Sequence, residues 1–351
     1  MVPYFILLFT VTIFVYGGRR AGRQVQAVSL LVVSLLLVLF AGLRDRLVGT
    51  DTGNYIYIYS KVNTLDDMFR TSEIGYNALM LFSKLFSNEY ASLLIVIAII
   101  VVICYVTTIV KLTRRYETGI FLWVVLGGYT FFFNGARQGI AAAICFYALP
   151  WLLKRKPRQY FMCIFLAFLF HHTALLAVVF YFIASPKVNK RQLVNVFFGV
   201  VIMVLFLSVF VDMAAALIDD KYAVYGEKSD GGGRLTVAFL LFQGALLYIA
   251  KSTVVDSHIY YSRLLNIYLI GLIPAIASTL ASVNPSGVLR LSIYFSSTAI
   301  LLWPMVFNSM DLKWYRHISA YIFFLFSLIY FYMTTEKFSN LSPYQINLGI
   351  F

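Results

Sequence analysis

Residues 161–184 read FMCIFLAFLFHHTALLAVVFYFIA, and the topology of the whole chain turns on how this run is read. As one straight helix it is long enough to cross a bilayer, whose hydrocarbon core needs about 20 apolar residues. Two features argue against a simple crossing. His171 and His172 stand near the middle of the run. Basic residues flank it on both sides: Lys154, Arg155, Lys156 and Arg158 before, Lys187, Lys190 and Arg191 after. Lys and Arg concentrate in cytoplasmic loops. Both flanks are cytoplasmic if segment 160–184 enters, turns at the histidines and returns as a re-entrant hairpin. Across the chain, the hairpin also gives the stronger cytoplasmic excess of Lys and Arg than a simple span does.

The rest of the chain has the same character. It is 61% apolar and 12% charged, against about 45–50% and about 25% in a soluble domain. Such a surface needs lipid as part of its solvent. The expected fold is an all-α polytopic membrane protein, one integral domain over 1–351 with about ten transmembrane helices besides the hairpin. The spans fall near 2–18, 27–43, 91–110, 119–134, 138–153, 192–216, 235–250, 264–281, 289–307 and 318–334. The first run lacks a basic leader, and Arg19, Arg20 and Arg23 follow it, which places the N-terminus outside. Two sizeable extracytoplasmic loops result, 44–90 and 217–234. Within the first, 65–86 spaces its apolar residues as amphipathic helices lying on the membrane surface, with Asp66, Asp67 and Glu73 where a helix dipole favours acids. The second carries Glu227, Asp230 and the flexible Gly231-Gly232-Gly233 turn.

The net charge of +13 is spread over short loops between apolar runs, a membrane pattern rather than a nucleic-acid footprint. Cys104, Cys145 and Cys163 lie inside apolar runs without metal-ligand spacing. There is no DxD pair, P-loop, G-x-S-x-G or H-E-x-x-H. These gaps argue against a nucleotide-sugar enzyme, an ATP-driven pump, a serine hydrolase and a zincin. No cofactor or metal is expected.

Charge inside a membrane is expensive and usually functional. The ionisable residues at the outer ends of spans are therefore the candidates. Arg44, Asp45 and Arg46 follow the second span, then come Gly49, Asp51 and Tyr55: two arginines and two carboxylates around a glycine, suited to anion binding and acid–base work. A solvated loop with internal ion pairs is the plain alternative. Arg137 opens the fifth span in Asn134-Gly135-Ala136-Arg137, where its guanidinium must meet water, a carboxylate or a phosphate. His171 and His172 mark a break between half-helices, and a neutral imidazole there can take a proton from a hydroxyl. Arg290 opens a later span after Asn284-Pro285-Ser286-Gly287. Several arginines around one cavity suit a pyrophosphate.

These residues resemble the EpsG/Wzy family of exopolysaccharide and O-antigen polymerases. The likeness covers most of the chain. Its most specific part is Gly42-Leu43-Arg44-Asp45 followed by Val48-Gly49-Thr50-Asp51-Thr52 and Tyr55. It continues in Arg137-Gln138-Gly139-Ile140-Ala141, Phe170-His171-His172-Thr173-Ala174-Leu175, Arg290-Leu291-Ser292-Ile293-Tyr294-Phe295 and Pro343-Tyr344.

The resemblance implies a GT-C-like membrane glycosyltransferase in the bacterial cytoplasmic (inner) membrane, with its active site on the outside. It would transfer a growing glycan from undecaprenyl pyrophosphate to a lipid-linked repeat unit. Its partners would be undecaprenyl-pyrophosphate-linked oligosaccharides and the bilayer, with a chain-length regulator and a flippase nearby. Mapped onto this chain, Arg137 and Arg290, helped by Arg44 or Arg46, hold pyrophosphate; His171 or Asp51 is the base; Asp45 orients an arginine; Tyr55 and His172 complete the site. An O-antigen-ligase-like glycosyltransferase needs the same cavity. A lipid-linked oligosaccharide transporter would need internal pseudo-symmetry and mid-membrane charge, and neither is evident.

Overall fold

The computed structural model of the chain describes residues 1–69, 71–217, 233–254, 258–284, 287–309 and 314–347. Among these there is no strand; the only ladder contact is one bridge between Arg44 and Ile346. The expected loop 217–234, with Glu227, Asp230 and most of its glycine run, lies outside the described residues. The chain forms two compact units. One comprises Met1–Pro150, Arg158–Ala174 and Asp311–Phe351; the other comprises Trp151–Pro157 and Leu175–Met310.

The first unit is built on three long apolar helices: α1 (Val2–Arg20), α2 (Arg23–Gly42) and α5 (Tyr90–Leu112). The three pack in sequence. Gly18 stands against Ser29, whose hydroxyl donates to the Phe14 carbonyl at 2.5 Å, so α1 and α2 approach closely through small residues. Between α2 and α5 run α3 (Thr52–Lys61), a 3-10 turn over Leu65–Phe69, and α4 (Ile74–Lys84). α4 buries Tyr76, Leu79 and Met80 and exposes Phe82, and Leu85 and Phe86 just after it are exposed as well.

The expected span at 119–134 is interrupted. α6 (Tyr116–Val125) stops at Gly127-Gly128, where the Tyr129 N–H donates to the Trp123 carbonyl at 3.0 Å. The chain resumes as a single turn, α7 (Phe131–Asn134), before α8 (Ala136–Leu153). Ten residues make a helix of about 15 Å, half of the hydrocarbon thickness of about 30 Å. α18 (Trp314–Met333) completes this unit.

The unit has two distinct ends. At one, Arg19 ion-pairs with Glu117 at the start of α6. At the other, the loop after α2 meets residues 339–347.

The histidine run breaks as expected. α9 (Pro157–Phe170) ends before His171, a 3-10 turn covers His172–Leu175, and α10 (Leu176–Ile183) follows. Fourteen residues make only about 21 Å of helix. The two ends of the segment meet: Arg155, just before α9, donates to the carbonyls of Tyr181 and, at 2.5 Å, Ala184 at the end of α10. The segment therefore enters and returns.

In the second unit, α11 (Lys190–Leu205) and α12 (Leu207–Leu217) meet at a 70° bend. After them come α13 (Arg234–Ala250), α14 (His258–Ile270), α15 (Leu272–Leu280), a 3-10 turn at Val288–Leu291, α16 (Ser292–Ser296) and α17 (Ala299–Ser309). The basic loops share one end here. Arg263 donates to the Leu153 carbonyl, Asn266 donates to Ser185 and Lys187 carbonyls at 2.9 and 3.1 Å, and Lys251 reaches the Val188 carbonyl at 3.5 Å. Residues 153–155, 185–188, 251 and 263 thus gather at one end of this unit.

By length and composition, six helices among the described residues can cross a membrane, or seven with the bent α11–α12 pair; further apolar helices are shorter. The chain is a multi-span α-helical membrane protein.

The hairpin makes a direct prediction. With Cys104, Cys145 and Cys163 replaced by alanine, Lys156→Cys and Lys187→Cys should react with an impermeant thiol reagent from the same side of sealed vesicles. Labelling from opposite sides would contradict the return of the segment.

Candidate active site

The site is built where three elements of the first unit converge: the start of α4, the start of α8 and the end of α9. Glu73 is the residue just before α4 and is 1% exposed. One carboxylate oxygen accepts from the Arg137 guanidinium, and the other lies 2.6 Å from His171 Nδ1. Next to it, the Ser72 carbonyl lies 3.2 Å from His172 Nε2. Both histidines of the break are thus held by consecutive residues, but only His171 meets a carboxylate.

The close approach has a local cause. Gly75 faces the backbone of Leu169, and a Cβ there would stand 2.8 Å from the Leu169 carbonyl oxygen. Only glycine lets α4 lie against the last turn of α9, which brings Glu73 to His171.

A carboxylate buried this deeply needs charge and hydrogen bonds in return. Arg137 supplies charge while keeping 28% of its side chain exposed. It can therefore serve Glu73 on one edge and a ligand on another. Its guanidinium also stands 5.8 Å from the centroid of the Tyr76 ring. A carboxylate holding one imidazole nitrogen orients the ring and stabilises the imidazolium that forms when the other nitrogen takes a proton.

The block around Gly49 forms a tight loop beside this centre. Gly49 has φ +97°, in the left-handed region, and a Cβ there would lie 2.4 Å from Asn134 Oδ1. Asn134 ties three segments together. Its Oδ1 accepts from Thr50 N–H at 2.8 Å, its Nδ2 donates to the Ser339 carbonyl at 2.6 Å, and its own carbonyl accepts from the Tyr55 hydroxyl at 3.4 Å. The Tyr55 oxygen in turn accepts from Ala136 N–H at 3.0 Å. Tyr55 thereby braces the start of α8, and with it Arg137. Asp51 is half-buried just before α3.

Arg44 is 1% exposed. It lies 4.3 Å over the Phe133 ring and donates to the Ala41 carbonyl. Burial pushes its pKa down to about 10, against the opposing influence of Tyr129, Tyr4, Tyr344 and Tyr55, so it stays charged at neutral pH. It is covered by the strap 339–347. The Gly49 N–H donates to Asn340, Asp45 N–H to Gln345 and Asn347 N–H to Leu43, all at 2.8–2.9 Å. The Tyr344 ring stacks on Phe40 at 4.1 Å. Asp45 is half-buried and accepts from Leu47 N–H, and Arg46 is exposed.

Of the residues singled out from sequence, Arg137, His171 and His172 come together at Glu73. Tyr55, Asp51, Arg44, Asp45 and Arg46 belong to the neighbouring loop. Arg290 belongs to the second unit, half-buried in its 3-10 turn. In the sequence Glu73 stands out only as an acid suited to a helix start. The missed signal was a need: Arg137 and the histidine pair require a carboxylate, but the sequence offers several in 44–90. Among the described residues, no three His, Cys, Asp or Glu side chains gather as a metal-ligand set.

Removing one partner of a buried ion pair costs about 3–5 kcal/mol. Glu73→Ala should therefore lower the thermal midpoint of the purified protein markedly. Glu73→Gln keeps the shape and much of the hydrogen bonding, so it should unfold closer to wild type while losing activity. Equal stability of Glu73→Ala and wild type would show that the buried contact is not made.

Residues 27–346 match the EpsG family. No curated protein and no solved structure matches the chain. That span takes in most of α2, the Gly49 loop, Glu73, Arg137, the histidine hairpin, Arg290 and most of the strap. The chain belongs to the EpsG family and is a polysaccharide polymerase-type membrane protein.

Proposed function

We propose that this protein extends a polysaccharide on the outer face of the bacterial cytoplasmic membrane. It moves a growing glycan from undecaprenyl pyrophosphate to the terminal hydroxyl of a lipid-linked repeat unit. The observation that carries this reading is the buried Glu73 carboxylate shared by His171 and Arg137. It pairs a proton acceptor with a cation, as glycosyl transfer from a pyrophosphate requires.

In this reading, Glu73 holds the Nδ1 side of His171, and the other ring nitrogen takes the proton of the acceptor hydroxyl. That oxygen attacks the anomeric carbon of the donor, forming the new glycosidic bond. The bond from that carbon to the pyrophosphate oxygen breaks, and the electron pair leaves on the pyrophosphate. Arg137 stabilises this developing charge by bidentate hydrogen bonds. Arg46 serves the carrier pyrophosphate. Arg44, covered by aromatic rings and the strap, holds the loop that presents Asp51 and Tyr55. His171 is preferred over Asp51 as base because it has the carboxylate partner. The exposed residues Phe82, Leu85 and Phe86 at the end of α4 and just after it rest in the outer interface, where lipid carriers enter sideways.

The gathering of Glu73, Arg137 and His171 at the end of the first unit opposite the Arg19–Glu117 pair supports an extracytoplasmic site. Polymerase chemistry needs no nucleotide sugar, in keeping with the missing DxD.

Lipid-linked glycans from cells lacking the gene should run as single repeat units without a ladder. Wild type should restore the ladder, while Arg137→Gln and His171→Gln should not, with protein levels unchanged. A positioned general base is worth about 10²–10⁴-fold, so His171→Gln should leave only a faint ladder. Full-length carrier-linked polymer in the deletion strain would point to a ligase. Long polymer from Arg137→Gln would refute the pyrophosphate role.

A further inference from the structure

The catalytic reading accounts for Glu73, Arg137 and His171 but leaves one group of the site without a task. Tyr76 lies one turn after Glu73 on the same face of α4. It is 2% exposed, and among the described residues its hydroxyl oxygen has no hydrogen-bond partner.

Buried tyrosine hydroxyls normally find one, and several in the same unit do, although the Tyr116 hydroxyl, at the Arg19–Glu117 end, also has none among the described residues. Tyr4 donates to the Leu341 carbonyl, Tyr129 to Leu37, Tyr59 to Ser87 and Tyr344 to Phe40, at 2.6–3.0 Å. Tyr55, whose ring lies 6.2 Å from that of Tyr76, uses its hydroxyl on Asn134 and Ala136. Of the two orphans, Tyr76 is the one whose ring is near the guanidinium of Arg137. Burial raises the Tyr76 pKa, and the neighbouring Tyr55 adds to this, while Arg137 opposes it. The group remains a neutral O–H donor at neutral pH.

A donor kept out of water beside a cation, with nothing to donate to, fits an anionic acceptor brought by a ligand. We propose that the Tyr76 hydroxyl donates to a phosphate oxygen of the lipid-linked pyrophosphate that Arg137 engages. The pair then supplies one neutral and one charged donor to the same group. This assignment rests on the pyrophosphate reading of Arg137 and adds a substrate-contacting residue to it.

The test uses the purified full-length protein and farnesyl pyrophosphate as the probe, with affinity read by titration and stability by thermal unfolding of the ligand-free protein. Wild type should bind, and Arg137→Gln should lose binding. Tyr76→Phe should bind roughly tenfold more weakly, the size of one hydrogen bond to a charged acceptor. Ligand-free Tyr76→Phe should unfold at or above the wild-type midpoint, because the hydroxyl it removes has no partner in the protein.

Unchanged affinity in Tyr76→Phe, with Arg137→Gln still defective, overturns the Tyr76 assignment and leaves the Arg137 reading standing. A lowered ligand-free midpoint also overturns it, by showing that the hydroxyl serves the fold. If wild type fails to bind or Arg137→Gln binds normally, the pyrophosphate reading fails and the Tyr76 contact falls with it. Turnover on lipid-linked repeat units then identifies which pyrophosphate is held. A fall in kcat at saturation marks the leaving group, and a rise in acceptor KM marks the acceptor carrier.

Discussion

The first unit is organised around the cost of burying one carboxylate. Taken out of water alone, an ionised Glu73 would neutralise or force its surroundings open. It stays because Arg137 and His171 come to it from two different helices, and each has its own reason to need an anion. Those arrivals fix how α4, α8 and α9 meet. Glycine at position 75 allows α4 close enough to α9, and the break at His171 ends α9 at the required height. A buried ionic group is weak evidence for stability and stronger evidence for a task. Here the same contact that sets the packing also holds an imidazole and a guanidinium on one carboxylate.

The second organising element is longer in sequence and shorter in space. Residues 339–347 return to the loop after α2, separated from it by some three hundred positions. They cover Arg44, satisfy the backbone of the Gly49 loop and engage Asn134. Asn134 and Tyr55 carry that order to the start of α8. The G-T-D-T block is therefore placed by distant chain as much as by its own residues. Its rigidity is what a site needs if a reactive centre is to be held within a fraction of an ångström.

How much of this was readable beforehand follows from what periodicity can encode. The hairpin was legible: an apolar run, two histidines in its middle and basic flanks are all local facts, and Arg155 closing on Ala184 agrees with them. The long spans were legible for the same reason. The interruption of 119–134 was present in Gly127-Gly128 but outweighed by the surrounding apolar residues. Burial by distant chain was not legible. Arg44 looked like an exposed anion-binding arginine because nothing local announces the strap that covers it. Glu73 looked like a surface acid because its partners lie 64 and 98 residues away. Arginine and histidine stood out in apolar sequence, whereas the carboxylate they require sat in a polar loop where acids are ordinary.

The central claim is that Glu73 and His171 act as one unit in glycan transfer. A double-mutant cycle on initial rates of polymerisation tests it most directly, with Glu73→Gln, His171→Gln and the double variant assayed in the same vesicles. If Glu73 works through His171, the double variant should be no slower than His171→Gln alone, as for residues that function together. If the two losses multiply, the residues act independently, and the shared carboxylate is a feature of the fold rather than of the chemistry.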